Sequence, residues 1–115
     1  MNKSIQPLTE RQINRYLSII DLTRPKQEHA IRLLYEKMKQ SIHESHPDSE
    51  IIVHRGKPIV SIEDNYENLL IPADNISRSS TYTHYVNETS VLRTHASAVI
   101  PEALRTLAAR TDSWN

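Results

Sequence analysis

No cysteine occurs in the 115 residues, which removes disulfides, thiolate metal sites and cysteine nucleophiles together. Glycine occurs once, as Gly56. Phosphate cradles of the GxGxxG or P-loop type need several glycines so that backbone N–H groups can approach the ligand, so neither exists in this chain. Phenylalanine is absent too, leaving five tyrosines and Trp114 to join the aliphatic residues in a modest core. Neither sign of charge is in surplus: 14 Lys and Arg stand against 14 Asp and Glu, for a net charge of zero. That balance argues against a protein devoted to coating nucleic acid, which carries a basic excess, and leaves RNA open only as one substrate among several. No apolar run approaches the ~20 residues that span a bilayer, and residues 1–7 lack the apolar stretch of a secretory signal. A soluble cytoplasmic protein is the expectation.

What the chain does contain fits one domain by size, with a little over half of its unfolded surface buried on folding. Thr9-Glu10-Arg11-Gln12 has the T-x-x-Q form of a capping box and opens a short helix to Leu17, with Ile13, Tyr16 and Leu17 as its buried stripe. An extended connector follows to residue 24. Thr23 ahead of Pro25 reads as a helix start. From 25 to 44 the period is helical, with Ile31, Leu34, Tyr35, Met38 and Ile42 on one face and Glu28–Arg32 as an i,i+4 ion pair on another. His43, Glu44 and His46 lack the spacing of a metal pair and belong to a solvated helix end ahead of Pro47. No metal set is expected, and His29 and His54 show no partner pattern.

Ile51-Ile52-Val53 and Ile59-Val60-Ser61-Ile62 are β-branched runs separated by the turn chemistry of Arg55-Gly56-Lys57-Pro58. They suggest a hairpin, or one strand broken by a corner. Residues 64–72 read as a loop with a helical turn, in which Tyr66, Leu69 and Ile71 serve the core. Residues 73–80 are polar and turn-rich, the segment expected to be mobile. Residues 81–86 return to β character and should pair with 91–97. The closing helix occupies 103–110, with Pro101 in its first turn and residues 111–115 ending the chain. The order is that of an α+β protein, an antiparallel sheet flanked by helices.

The chemistry is concentrated in residues 90–101. Read as a strand, Arg93, His95 and Ser97 share one face over roughly 13 Å, and Leu92, Thr94, Ala96 and Ala98 share the other. A cation, an imidazole and a hydroxyl in line make an amino-acid-sized polar face; the same alternation also describes a wet edge strand. Arg93 is suited to anchoring a carboxylate or phosphate, or to a structural salt bridge with Glu88 or Glu102.

Arg93-Thr94-His95-Ala96-Ser97 resembles the Arg-Thr-His-Thr-Ser signature of phenylalanyl-tRNA synthetase alpha subunits. Upstream, Asn65-Tyr66-Glu67-Asn68-Leu69-Leu70-Ile71-Pro72 resembles that family's Asn-Phe-Asp-x-Leu-x-Ile-Pro segment. Tyr82-Thr83-His84-Tyr85 lies where the family has Asp-Thr-Phe and an aromatic, and the long helix, residues 51–53 and Pro58 are similar to motif 1 of class II synthetases. The resemblance covers residues 25–110 and implies a partial class II catalytic core, with 1–24 as an N-terminal helix and connector. It implies amino-acid-binding roles for His95, Ser97 and Tyr85, and for Arg93 as an anchor. It makes the 25–44 helix a candidate dimer or partner-subunit surface. In a complete enzyme of this family it implies ATP and Mg2+, with tRNA as the acceptor. Activation by attack of a carboxylate on the α-phosphate depends on alignment and charge stabilisation more than on a protein nucleophile.

Three departures qualify the resemblance. The signature's usual Pro and later Gln are Ala98 and Ile100, which loosens any preference for phenylalanine. Pro58 sits about one position from the motif 1 proline. Nothing matches motif 2, and motif 3 is glycine-rich where this chain has one glycine. The expectation is the N-terminal part of a synthetase-like protein, inactive by itself and needing no cofactor alone, with a non-catalytic amino-acid-binding or interaction module as the alternative.

Overall fold

Three residues of backbone pairing make the whole sheet. The structure is a computed structural model that describes residues 5–26 and 28–110; the expectations for residues 1–4 and 111–115, Trp114 included, lie outside the described residues. Strand β1 (Ile59–Ser61) runs antiparallel to β2 (Ser90–Leu92), with Ile59 opposite Leu92, Val60 opposite Val91 and Ser61 opposite Ser90. Among the described residues four α-helices accompany it: α1 (Glu10–Leu17), α2 (Ala30–Ser45), α3 (Ile62–Asn65) and α4 (Ile100–Arg110). The class is α+β, with a two-stranded antiparallel sheet. The chain packs as two units, one joining the described parts of Met1–Leu17 and His54–Asn115, the other Ser18–Val53.

In the first unit, α1 begins where the capping box requires. Thr9 N donates to Gln12 Oε1 at 2.9 Å and Gln12 N donates back to Thr9 Oγ1 at 3.3 Å. The expected buried stripe is shallower than the periodicity implies: Ile13 is half-buried, while Tyr16 and Leu17 are exposed. Tyr16 reaches His84 instead, its hydroxyl 3.2 Å from Nε2. The core is small and lies at the sheet: Tyr66, Tyr85, Val91 and Ala98 are its buried apolar residues. Leu69 and Ile71 are half-buried beside it.

The polar segment 73–80, expected to be mobile, is tied down by hydroxyls. A 3₁₀ turn, Ile76–Arg78, is capped by Asn75 Oδ1, which accepts Ser77 N at 2.9 Å. Ser77 O accepts from Tyr66 OH at 3.1 Å and from Thr83 Oγ1 at 2.5 Å, and those two hydroxyls also touch each other. Tyr85 OH donates to Arg78 O at 2.5 Å. Composition gave no sign of this, because the donors come from distant residues.

One strand expectation fails for want of a partner, and the pairing expected between 81–86 and 91–97 forms only in part. Residues 51–53 are outside any strand, and β1 pairs with β2 rather than with them. Residues 84–86 meet 90–92 around an Asn87 turn, through one Tyr85–Val91 bridge and a Leu92 N to His84 O bond of 2.9 Å. β-branched composition favours a strand only when a ladder is available to pair it.

The second unit holds α2, which starts five residues later than Thr23-Arg24-Pro25 implies. Thr23 is committed to Asp21, donating its N and Oγ1 to Asp21 Oδ1 at 2.9 and 2.6 Å. His29, extended at φ −145° and ψ 147°, caps α2 in its place by accepting Ile31 N on Nδ1 at 3.1 Å. Glu28 therefore lies outside the helix, and the Glu28–Arg32 pair is not a helical one. No residue of α2 is buried, and Ile31, Leu34, Met38 and Ile42 leave its apolar face exposed.

Leu70 is the one non-glycine described residue with positive φ, at 60°. Leu70 N donates to Glu67 O at 2.9 Å and Ile71 N to Tyr66 O at 3.0 Å, the Schellman closure of the 3₁₀ turn Glu67–Leu69. That position suits glycine, and Leu70 is 90% exposed, so its side chain gives no packing in return. Leu70→Gly is expected to raise stability by up to about 1 kcal/mol, the steric relief exceeding the added chain entropy. A urea midpoint below wild type would contradict this.

Candidate functional site

β2 ends at Leu92, so Arg93, His95 and Ser97 do not alternate along a strand as their spacing suggests. The cause is local. Arg93 N donates to Pro58 O at 2.9 Å, the last bond across the sheet. The next backbone donor is captured by a side chain: Thr94 N donates to Asn65 Oδ1 at 3.2 Å, and Asn65 Nδ2 donates to Thr94 Oγ1 at 3.0 Å. Asn65 is fully buried. Its reciprocal clasp joins the end of α3 to Thr94 and turns the chain off the ladder, a role the sequence reading did not assign. His95 then takes extended angles, φ −158° and ψ 161°, ahead of a 3₁₀ turn, Ala96–Val99.

The four candidate residues occupy two places. Arg93 and Ser97 are exposed, and His95 is half-buried between them in sequence, with its Nε2 buried and without a hydrogen bond. The expected salt bridge from Arg93 to Glu88 or Glu102 is not formed among the described residues; Glu102 Oε2 faces His54 Nε2 at 3.7 Å. Tyr85 is buried and lines an open cleft of about 950 Å³ together with Ile62, Ile76, Arg78 and Tyr82. Arg93, His95 and Ser97 do not line that cleft. Among the described residues no group of three or more His, Cys, Asp or Glu is placed to hold a metal ion. No helix among them is long and apolar enough to cross a membrane.

Two ion pairs brace this region. Arg105 grips Asp64 with both terminal nitrogens, at 3.0 and 2.5 Å, tying α4 to α3. Arg78 Nη1 holds Glu67 Oε1 at 2.7 Å while its guanidinium lies over the Tyr66 ring, 4.6 Å from the centroid. The Arg105 hydrogen bonds hold the Asp64 carboxyl below its ordinary range, and the Arg78 bond does the same for Glu67. Burial pushes the Tyr85 hydroxyl upward.

Lowered carboxyl pKa values mean that the unfolded chain takes up protons before the folded one. Stability is thus complete above the ordinary carboxylate range and falls as pH drops through roughly 4 and below. Thermal melts from neutral pH downward should show this loss, and Asp64→Asn should shallow it. An acid slope unchanged in Asp64→Asn would remove the Arg105 pair from the explanation.

Comparison with known proteins gives one consistent relation. The chain is 34% identical over 102 residues to the mitochondrial phenylalanine–tRNA ligase of Saccharomyces cerevisiae, covering 85% of this chain and 21% of that protein. It is 48% identical over 48 residues to the chloroplastic/mitochondrial phenylalanine–tRNA ligase of Arabidopsis thaliana, covering 42% of this chain and 11% of that one. With the phenylalanine–tRNA ligase alpha subunit of Mycoplasma genitalium identity is 42% over 48 residues, covering 42% and 14%. The chain thus spans about a fifth or less of the length of these curated relatives. No family model matches, and no solved structure matches.

Proposed function

Because this chain is homologous to part of the alpha-type phenylalanine–tRNA ligases, we propose that it supplies the amino-acid-pocket portion of a class II ligase core. The match to the Saccharomyces protein carries this reading: at 85% of the chain, a single aligned span must include residues 65–72 and 93–97. The Asn65–Thr94 clasp supports it physically, since it holds those same two stretches together. His95 and Ser97 offer an imidazole and a hydroxyl to the substrate amino acid, Tyr85 an aromatic wall, and Arg93 a cation for a carboxylate or phosphate.

Within a longer protein the reaction would be activation of the amino acid by ATP, followed by transfer to tRNA. The residues named here bind and orient; none acts as a nucleophile. Among the described residues no group of three or more His, Cys, Asp or Glu is placed to hold a metal ion, and no step is routed through a metal here. By itself the chain is catalytically silent and acts in the cytoplasm. The apolar stripe of α2, with Ile31, Leu34, Met38 and Ile42 exposed, is the surface offered to a second subunit. A non-catalytic amino-acid-binding or interaction module related to synthetases is the second reading.

Calorimetry of the full chain with phenylalanine tests both readings. Saturable heat is expected, weakened about tenfold or more in His95→Ala and in Ser97→Ala, the loss typical of one or two polar contacts to a charged ligand. No heat from folded wild-type protein would overturn the pocket assignment.

A further inference from the structure

α2 is closed at its start by a side chain whose hydrogen-bonding capacity changes with pH. His29 Nδ1 accepts Ile31 N at 3.1 Å from an extended backbone, the geometry of an N-cap. Caps of this kind are ordinarily Ser, Thr, Asp or Asn, whose oxygens still accept when a histidine has taken up a proton. A neutral imidazole accepts on one ring nitrogen and donates from the other; the imidazolium donates from both and accepts on neither. The bond to Ile31 therefore requires His29 to be neutral with its proton on Nε2, and protonation of Nδ1 breaks it.

Charge acts in the same direction. An imidazolium at position 29 adds a positive charge at the N-terminal end of a helix, where the macrodipole favours a negative one. The first turn of α2 has no acidic residue to offset it. Among the described residues α2 is the only helix or strand of the unit Ser18–Val53, so no second element of that unit packs on His29. The charged residues beside it in the chain are Lys26 and Glu28 before it and Arg32 after it. Asp21 and Arg24, in the connector, pair with each other at 3.4 Å.

The other end of α2 responds in the opposite sense. His43 lies in the last turn and His46 is the C-cap residue. Positive charge is favourable there. The cap itself is made by the backbone, His46 N donating to Ile42 O at 2.9 Å, so protonating either ring breaks no capping bond. No residue of α2 is buried, which leaves the ends of the helix with an unusual share in holding it wound.

We propose that His29 is a pH-operated latch on α2. Neutral, it closes the first turn; protonated, it releases residues 30–33 while the end near His43 and His46 stays wound. Ile31 belongs to the released turn and is 47% exposed, so release withdraws the first residue of the apolar face. The latch does not depend on the ligase reading.

Titration of the isotopically labelled full chain from pH 8 to pH 5, following the Cα secondary shifts along α2, tests it. The shifts of residues 30–33 should move towards coil values around pH 6.5, where histidine titrates. The opening equilibrium of that turn should rise about fivefold, the effect of losing one cap. Residues 42–45 should hold or become more helical. This response lies above the pH range in which the Asp64 and Glu67 carboxylates take up protons. His29→Asn keeps an acceptor that does not titrate, so its first turn should stay helical throughout. His29→Ala should be loosened at both pH values. The proposal is overturned if residues 30–33 of the wild type do not move, or if His29→Asn responds as the wild type does. It is equally overturned if His29→Ala is as helical as wild type at pH 8, or if residues 42–45 lose helicity together with 30–33.

Discussion

Tyr66→Ala is expected to leave the first unit unfolded at room temperature. Tyr66 is fully buried, and it is the largest of the few side chains that are. Truncating a buried aromatic to alanine costs roughly 3–5 kcal/mol, while a whole small domain is stable by only about 5–15 kcal/mol. This unit lies near the low end, because among the described residues its buried apolar ones are just Tyr66, Tyr85, Val91 and Ala98. The loss is also more than apolar. Tyr66 OH donates to Ser77 O, and its ring lies beneath Arg78. Tyr66→Phe separates the contributions: the ring stays, the hydroxyl goes, and about 1–3 kcal/mol should be lost through weakened bonding at Ser77 and Thr83. Urea titrations followed by circular dichroism would read both. A Tyr66→Ala protein with a near-wild-type midpoint would mean that the core lies elsewhere.

Gly56→Ala should be nearly as damaging, for a different reason. The backbone of Gly56 has φ +32°, which side-chain-bearing residues rarely adopt. A Cβ there would lie 2.3 Å from Val99 Cγ1 and 2.7 Å from Val99 Cβ, closer than such atoms approach. Overpacking of this kind costs typically about 1–3 kcal/mol, and the unfavourable φ adds about 1 kcal/mol more. The sole glycine of the chain thus serves a close approach between the segment after His54 and the 3₁₀ turn that carries Ser97. The double variant Gly56→Ala/Val99→Ala should recover part of the lost melting temperature, because it removes the atoms that clash. If the single variant melted with wild type, that approach would not exist.

How much of this was readable beforehand depends on where each hydrogen bond comes from. The start of α1 was legible because Thr9 and Gln12 satisfy each other three residues apart. The closing helix was legible because Pro101 and the run of helix formers after it are local signals, and α4, Ile100–Arg110, has Pro101 in its first turn. The start of α2 was misread because two residues compete for the capping role, and Asp21 removes Thr23 from the contest.

The strand through 93–97 was misread for the complementary reason. Alternation describes which face a side chain would take if the ladder continued, but Asn65, 29 residues away from Thr94, intercepts the backbone first. Ordering of 73–80 escaped notice likewise, since hydroxyls from Tyr66, Thr83 and Tyr85 supply it. For the candidate site, composition and spacing offered residue types only. The link between residues 65–72 and 93–97 came from resemblance, and its physical counterpart is the Asn65–Thr94 clasp.

The assignment of an amino-acid pocket requires that Tyr85, on one side of the sheet region, and Arg93, His95 and Ser97, beyond the end of β2, respond to one ligand. Titrating phenylalanine into isotopically labelled protein and following the backbone amides of 85 and 93–97 measures this directly. The expected result is a common saturation curve at both places, shifted together about tenfold or more to higher phenylalanine in His95→Ala. Shifts at only one of them, or none at saturating phenylalanine, would contradict a shared pocket.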